Sequence, residues 1–225
     1  MTFSIAARCV RSGAFGVAIA TSSIAVGARC PHARSGVGAV ATQNVTDPAL
    51  GPLLLDFMRA GLGAKEAIAK AVEGRDNIDY RQLIAVDRHG NSASWSGRHI
   101  LGRHAVSEQQ DCVAAGNLLK SERLPQAMTH TFAANVAGHL AERLLRALEA
   151  GLDAGGEEGP VHSAALLVVH EHSFPSVDLR CDWDDKAPIA QLRLLWTAYE
   201  PQIEAYLTRA IDPSAAPRYG VTGDR

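Results

Sequence analysis

The chain has 225 residues, of which 47% are hydrophobic, 20% charged and 5% aromatic, with a formal net charge of −2. This is the composition of a globular protein with a substantial core. It excludes the basic surface of a nucleic-acid or anionic-membrane binder. No apolar run reaches the roughly 18 residues of a membrane-spanning helix, and no secretory signal pattern opens the chain. We therefore expect a cytoplasmic protein whose four cysteines stay reduced.

The first part of the chain favours β-structure. Residues 2–9, 15–22 and 36–43 hold more apolar residues than strict alternation allows, as strands buried on both faces do. A polar stretch containing Ser12 and Gly13 separates the first two runs and predicts a tight hairpin.

The hairpin places hydroxyl groups beside the start of the chain. With the turn at Ser12-Gly13, the facing partner of Thr2 is expected to be Ser22 or Ser23, with cross-strand Cβ atoms about 4.5–5.5 Å apart. A slip of the register by one residue would change the facing side chain.

The rest of the chain alternates between blocks of helices and strands. Helical patterns fall at 48–74, with a break at Gly61 and Gly63, and at 118–151 and 188–211. Strand patterns fall at 80–87, 91–96, 111–115, 163–170 and 176–181. Such segregated blocks indicate an α+β fold, in which antiparallel sheets are covered by helices. We predict a single domain over residues 1–211 and a flexible tail over 212–225.

Thr2 has the most distinctive chemistry. If Met1 is removed, Thr2 carries a β-hydroxyl and a free α-amine whose unperturbed pKa is about 7.7–8.0. The neutral amine can take the hydroxyl proton, so that one residue supplies both nucleophile and general base. The alternative is that Thr2 has no chemical role, since Met is commonly trimmed before small residues.

Besides Ser22 and Ser23, two groups of residues are candidates for contacts with the oxyanion or the substrate. Arg29 and His32 belong to a cation-rich segment. Its charges could bind a substrate carboxylate or lower the pKa of the Thr2 amine. The alternative is a surface turn whose charges are solvated.

Amide side chains form the second group. Gln43, Asn44 and Asn117 lie at the ends of apolar runs. There they can donate hydrogen bonds to an oxyanion, or they can simply form turns.

Other chemistries find no support. The Gly-rich segments lack the phosphate-loop and dinucleotide patterns, and G-x-S-x-G is absent. His170 and His172 could share one face of a strand, but no third metal ligand follows at a diagnostic spacing. The acidic run 182–185 lacks the spacing of a calcium loop and is expected to cap the last helix. We predict no cofactor and no metal.

The segments together resemble the DUF1028 family. The matching motifs are TFSI at 2–5, GVAIA at 16–20, AVGA at 25–28, GVGAVATQ at 36–43, GNLL at 116–119, AERLL at 141–145, AGG at 154–156, SAALLV at 163–168 and VDLR at 177–180. The resemblance places the chain with the N-terminal-nucleophile (Ntn) hydrolases. It implies a four-layer αββα sandwich of two mostly antiparallel sheets, with Thr2 at the nucleophile position and hydrolysis of a C–N bond.

One stretch departs from the family pattern. Family members often follow Gly-Gly with a basic, Gln-containing stretch, whereas this chain has EEGPVH at 157–162. If this loop contacts substrate, the specificity is expected to differ.

Three functions remain open. The first is metal-independent hydrolysis of a small linear or cyclic amide or imide through an acyl-Thr2 intermediate. The second is a non-catalytic binding or scaffold protein on the same fold, and the third is a proteasome-like peptidase. We expect a small-molecule substrate, no nucleic acid or membrane partner, and a homodimer or larger homo-oligomer.

Overall fold

The computed structural model describes residues 1–221. The strands β1 to β10 are Thr2–Arg8, Phe15–Thr21, Pro31–Arg34, Gly38–Asn44, Arg81–Asp87, Ser92–Ser96, Ala105–Gln109, Cys112–Asn117, Ser163–Val169 and Val177–Cys181. The helices α1 to α6 are Leu50–Arg59, Ala64–Val72, Leu124–Ala134, Leu140–Asp153, Pro188–Tyr199 and Ile203–Ile211. The predicted blocks of strands and helices are confirmed.

The strands form two sheets in which every pairing is antiparallel. Sheet A has the order β10-β9-β2-β1-β8-β7, and sheet B has the order β3-β4-β5-β6. The first strand of the chain therefore lies at the centre of the larger sheet, with hydrogen-bonded neighbours on both sides.

Three apolar clusters separate four layers. Phe3 and Ile5 of β1 face α3 and α4, which cover the outer side of sheet A together with α5. Ala6 faces the opposite way, toward Ile84 of sheet B. Helices α1 and α2 cover the outer side of sheet B. The fold is thus the α+β, four-layer αββα sandwich of two antiparallel sheets that the resemblance implied, and it explains why the strands are apolar on both faces.

The β1–β2 hairpin corrects the predicted register. Thr2 pairs with Thr21, not with Ser22 or Ser23. Ser22 is half-buried and Ser23 is exposed, beyond the end of β2. The expectation of a hydroxyl opposite Thr2 holds, but Thr21 supplies it.

The position of the hairpin loop explains the difference. The loop spans residues 9–14 and is centred between Arg11 and Ser12, one residue before the centre of the predicted Ser12-Gly13 turn. It is closed by hydrogen bonds from the Cys9 N–H to the Ala14 oxygen (2.8 Å) and from the Gly13 N–H to the Cys9 oxygen (2.8 Å). Gly13 takes a left-handed conformation (φ +75°), which glycine adopts at little cost.

Two edge strands were not predicted. β3 lies in the cation-rich segment, for which a substrate site or a surface turn was expected, and β7 is largely polar. Both strands lie at the edge of a sheet, where one side is unpaired and polar side chains are common, so the apolar pattern that identifies central strands is missing.

The predicted long helices are interrupted. A loop between Ala134 and Leu140 divides the region 118–151, and Val136, expected on its apolar face, is 58% exposed in that loop. Pro201 divides the region 188–211, because proline lacks the N–H that would continue the α5 hydrogen-bond ladder. The acidic run lies just before α5, where Asp184 Oδ1 accepts hydrogen bonds from the backbone N–H groups of Lys186 (2.8 Å) and Ala187 (2.7 Å), and the N-cap residue Ala187 makes no side-chain cap hydrogen bond.

The C-terminal segment is irregular as far as it is described. Residues 212–221 hold neither helix nor strand, and the Arg209 guanidinium lies 3.8 Å from the centre of the Tyr219 ring. Residues 222–225 of the predicted flexible tail lie outside the described residues. Within 1–221, none of the helices has both the length and the apolar character needed to cross a bilayer.

The packing of α4 on sheet A provides a test of the layer assignment. Leu144 is fully buried in the cluster that contains Phe3, whereas Leu194 on α5 is 62% exposed. We expect Leu144→Ala to lower the free energy of unfolding by about 2–5 kcal/mol, because it removes buried methyl groups and leaves a cavity. The same change at Leu194 is expected to have an effect within about 0.5 kcal/mol. Urea denaturation measures both, and equal effects would contradict the assignment.

Candidate active site

A row of buried polar side chains crosses one end of sheet A. Ser163, Thr21, Thr2 and Asn117 are successive cross-strand partners on β9, β2, β1 and β8. Their exposed fractions lie between 0% and 5%. Because alternate residues of a strand face opposite sides, the Thr2 side chain lies on the same face as Ser4, two residues further along β1. We call the four cross-strand partners Ser163, Thr21, Thr2 and Asn117 the polar row.

An inter-sheet amide network fixes this end of the sandwich. Ser4 Oγ donates a hydrogen bond to Gln43 Oε1 (2.6 Å), and Gln43 Nε2 donates to Gln82 Oε1 (2.7 Å). Asn117 Nδ2 donates to the same Gln82 oxygen (3.2 Å). Ser4, Gln43, Gln82 and Asn117 are fully buried. The network joins the two sheets directly beneath the polar row, so Thr2 and its neighbours lie on a rigid support.

The hydroxyl groups of Thr2 and Thr21 hold a carbonyl group. Thr2 Oγ1 donates to the Met1 carbonyl oxygen (2.5 Å) and lies 3.0 Å from Thr21 Oγ1. Thr21 Oγ1 donates to the same Met1 oxygen. The nucleophile predicted from the sequence is therefore already next to a carbonyl oxygen that accepts two hydroxyl hydrogen bonds.

Gln43 and Asn117 are the two predicted amide residues at this end of the sandwich, and they differ in which side-chain atoms lack a hydrogen-bond partner. Both polar ends of the Gln43 side chain are used by Ser4 and Gln82, so Gln43 supports the site from within the network. Asn117 uses its amide nitrogen toward Gln82, while its Oδ1 is buried and has no hydrogen-bond partner among the described residues. As the cross-strand partner of Thr2, Asn117 is the amide that lies nearest the nucleophile in the sheet register.

Asn44 has the structural role of a turn residue. It takes a left-handed conformation (φ +69°), which asparagine tolerates better than most residues. Its Nδ2 donates to the Tyr80 oxygen (2.7 Å), and its Oδ1 accepts from the Leu101 N–H (3.2 Å). These bonds tie Asn44 to neighbouring loops.

Arg29 and His32 make their contacts elsewhere. The Arg29 guanidinium donates to the backbone oxygens of Ile24 (2.5 Å) and Ala25 (3.0 Å). The His32 ring packs against the backbone of α1, where a Cβ at Gly51 would lie 2.0 Å from the ring, and burial lowers the pKa of His32. Among residues 1–221, no hydrogen bond or ion pair joins either side chain to Thr2.

Glu157 is a buried carboxyl group near Met1 that the sequence pattern does not reveal. Its carboxylate is buried at 1% exposure, and neither oxygen has a hydrogen-bond partner among the described residues. Burial raises the pKa of Glu157 to about 8, and the positive charge of the Met1 ammonium lowers it in part. A buried carboxyl group without a partner is costly, and such groups concentrate at functional sites.

Backbone pairing holds the loop of Glu157 against residues 118–120, and the same loop contacts Met1. Beyond the end of β8, the Glu158 N–H donates to the Leu118 oxygen (2.8 Å) and the Lys120 N–H donates to the Gly156 oxygen (3.2 Å). The Met1 side chain lies against the same loop, with Met1 Sδ 3.1 Å from the Gly159 nitrogen. A Cβ at Gly159 would lie 2.4 Å from Met1 Cε, so the glycine makes room for the Met1 side chain.

The loop also borders a cavity of about 280 Å³. Glu157 and Gly159 line one side of it, and the start of α5 lines the other. Within residues 1–221, no three His, Cys, Asp or Glu side chains form a group suited to a metal ion.

The geometry and the sequence agree on the family. The family model of DUF1028, described as a family of unknown function, matches residues 2–192. This chain belongs to the DUF1028 family. A crystal structure of a DUF1028 protein from Silicibacter pomeroyi is similar to it with a TM-score of 0.81 and 32% identity, covering 88% of each chain.

More distant similarities are weak. Anbu, an ancestral β-subunit from Yersinia bercovieri, gives a TM-score of 0.41 at 11% identity, covering 91% of this chain and 97% of that chain. Anbu from Hyphomicrobium sp. strain MC1 gives 0.39 at 12% identity, covering 92% and 98%. Similarity at this level carries no argument about chemistry. No curated protein matches the chain.

Gln82 Oε1 is the acceptor that two donors of the amide network share, so its removal is expected to lower the free energy of unfolding substantially. In Gln82→Leu, the buried donors of Gln43 and Asn117 lose the oxygen that both use, at about 1–3 kcal/mol for each donor. We expect urea denaturation to show this loss. Gln110→Leu, the same change on an exposed side chain, is the control, and a similar loss there would contradict the role of the network.

Glu157 predicts a pH dependence of stability. Its pKa is raised from 4.5 to about 8 in the folded protein, so folding favours the protonated form. The stability of the wild type is therefore expected to fall as the pH rises from about 4.5 to about 8. Glu157→Gln should lose less stability than the wild type across this range. The melting temperature of the variant relative to that of the wild type is therefore expected to rise with pH. Glu158→Gln, on the exposed neighbour, should follow the wild type; a constant difference for Glu157→Gln would contradict the prediction.

Proposed function

We propose that this protein is an Ntn-type hydrolase that cleaves a C–N bond in a small linear or cyclic amide or imide. Thr2 becomes the nucleophile once the Met1–Thr2 peptide bond is cleaved. The observation that carries the proposal is the Met1 carbonyl group, whose oxygen accepts hydrogen bonds from the hydroxyls of both Thr2 and Thr21. A substrate carbonyl in this position would lie next to Thr2 Oγ1.

The reaction follows from the groups of Thr2 itself. Its neutral amine, directly or through one water, takes the proton from Oγ1, and the oxygen attacks the substrate carbonyl carbon. The tetrahedral intermediate collapses with cleavage of the C–N bond, and the protonated amine gives its proton to the leaving nitrogen. Water then hydrolyses the ester on Thr2 and restores the hydroxyl. Every proton is accounted for without a metal ion.

Thr21 is the first candidate for stabilising the oxyanion. Its hydroxyl already donates to a carbonyl oxygen beside Thr2, and a donor of this kind is worth about 2.7–4 kcal/mol in the transition state. Asn117, the other cross-strand partner of Thr2, has a different role from the oxyanion donor predicted from the sequence, because its Nδ2 donates to Gln82 and the atom that it leaves free is an acceptor oxygen. Its unpaired Oδ1 is suited to accept a hydrogen bond from the Thr2 amine or from a substrate N–H.

Burial of the site favours strong electrostatic interactions with a bound carbonyl group. With Met1 in place, Thr2 is 5% exposed and Thr21 2% exposed, so the Met1 carbonyl group between them is largely shielded from water. A small substrate, a homodimer or larger homo-oligomer and a cytoplasmic location complete the proposal. Light scattering of the purified protein measures the number of subunits.

Substitutions at Thr2 and Thr21 test the function. Hydrolysis of a library of small amides and imides, followed by mass spectrometry, is compared for the wild type, Thr2→Ala, Thr2→Ser and Thr21→Val. We expect Thr2→Ala to lose at least about 10³-fold in rate, because nucleophile and base act as a unit. Thr2→Ser should retain measurable activity. Thr21→Val should lose about 10²-fold in kcat, the cost of one oxyanion donor.

The alternatives give different results. Full activity in Thr2→Ala would overturn the proposed nucleophile. A retained Met1 and no hydrolysis by the wild type would favour a binding or scaffold protein. Cleavage of unfolded polypeptides by a ring-shaped assembly, with no turnover of small amides, would favour the peptidase.

A further inference from the structure

Glu157 is a buried ionisable group that the mechanism above does not use. Both of its carboxylate oxygens are buried without a partner in the part of the chain that is described. Native proteins pair nearly all buried polar groups, and a carboxylate at 1% exposure has no access to bulk water. A hydrogen-bond donor, preferably a cationic one, is the group that this position lacks.

Met1 indicates where an acyl group lies in the site. The Met1 carbonyl is bonded to the Thr2 nitrogen, and its oxygen lies 2.5 Å from Thr2 Oγ1. The nitrogen and Oγ1 of Thr2 are separated by two carbon atoms, so an acyl group on Oγ1 lies next to the position of the Met1 acyl group. Met1 is therefore a guide to the acyl part of a substrate, with its carbonyl group, α-ammonium group and side chain.

Met1 lies against the loop that carries Glu157, with its Sδ 3.1 Å from the Gly159 nitrogen. The positive charge of its α-ammonium group lowers the pKa of the Glu157 carboxyl. The side chain of Met1 fills the recess at Gly159, where the absence of a Cβ gives it space. When Met1 leaves, the recess and the carboxylate both become available to a ligand.

We propose that Glu157 binds the α-ammonium group of the substrate, and that the substrates are small amides of α-amino acids with a free amino group and an unbranched side chain. The inference rests on the proposed function, because it uses Thr2 as the acceptor of the acyl group. The substrate carbonyl binds at Thr2 and Thr21, its ammonium pairs with Glu157, and its side chain occupies the recess at Gly159.

Charge pairing explains the selectivity. A free α-ammonium supplies three donors to a carboxylate that otherwise has none, and hydrogen bonds between charged groups are the stronger kind. A substrate without the amino group leaves the buried carboxylate unpaired and loses this gain. Glu157 then selects amino-acid amides over other carboxamides of the same size.

The Thr2 amine is the competing partner for Glu157. It becomes the first amine of the chain when Met1 is lost, and a carboxylate beside it would hold its proton. In that case Glu157 would influence every substrate equally, through the general base. The two roles therefore differ in whether removing the charge changes the preference between substrates or only the rate.

The test compares two amides that differ only in the amino group: L-methioninamide and 4-(methylsulfanyl)butanamide. The values of kcat/KM are measured for the wild type, Glu157→Gln and the control Glu158→Gln, each verified by intact mass to have lost Met1. We expect the wild type and the control to prefer L-methioninamide by at least 30-fold, and Glu157→Gln to reduce the preference to about threefold or less. An unchanged preference, or an equal loss for both amides, would overturn the inference.

Binding to Thr2→Ala separates this inference from the proposed function. Calorimetry on the Met1-free Thr2→Ala protein is expected to show L-methioninamide binding at least 10-fold more tightly than 4-(methylsulfanyl)butanamide, and Glu157→Gln added to it should remove the difference. No binding of either amide, or equal binding of both, would overturn the role of Glu157. Undiminished turnover in Thr2→Ala would instead overturn the nucleophile, whatever the preference is.

Discussion

The central position of β1 is the constraint on which the site depends. The strand lies between β2 and β8 in sheet A, buried by helices on one face and by sheet B on the other. Its backbone is hydrogen-bonded on both sides from its first residue, because Thr2 is paired with Thr21 and with Asn117. A residue held in this way has little freedom, so its hydroxyl is positioned before any substrate binds, which is the condition for efficient nucleophilic attack.

Some buried polar groups around Thr2 have hydrogen-bond partners within the protein and others have none. The first kind supports the structure of the site, and the second kind is available to bind a ligand. Ser4, Gln43 and Gln82 use their side chains within the protein and join the two sheets. Asn117 Oδ1 and both oxygens of Glu157 have no partner among the described residues, although they are buried. A fully paired network gives rigidity, whereas unpaired groups next to a recess are available to a ligand.

The sequence predicted the layers better than the contacts within the site. Apolar runs identify strands buried on both faces, so β1 and β2 could be predicted, and the DUF1028 motifs identified the fold. The residue opposite Thr2 could not be predicted, because Ser12-Gly13 indicates a turn without fixing the residue on which the loop is centred. Gln82 was missed because a pairing between sheets has no local signal, although a glutamine in an apolar strand is a clue. Glu157 lies in the stretch that departs from the family pattern, but burial of its carboxylate follows from loop pairing that sequence does not show.

The covalent state of Thr2 most directly tests its role as the nucleophile. Intact mass and peptide mapping of the purified wild type are measured before and after incubation with a β-lactone, a strained ester that acylates activated hydroxyl groups. If Thr2 is the nucleophile, Met1 is absent, one acyl group is added per chain, and the added mass lies on Thr2. Protein that keeps Met1, or an acyl group that maps to another residue while Thr2 stays unmodified, would contradict this role.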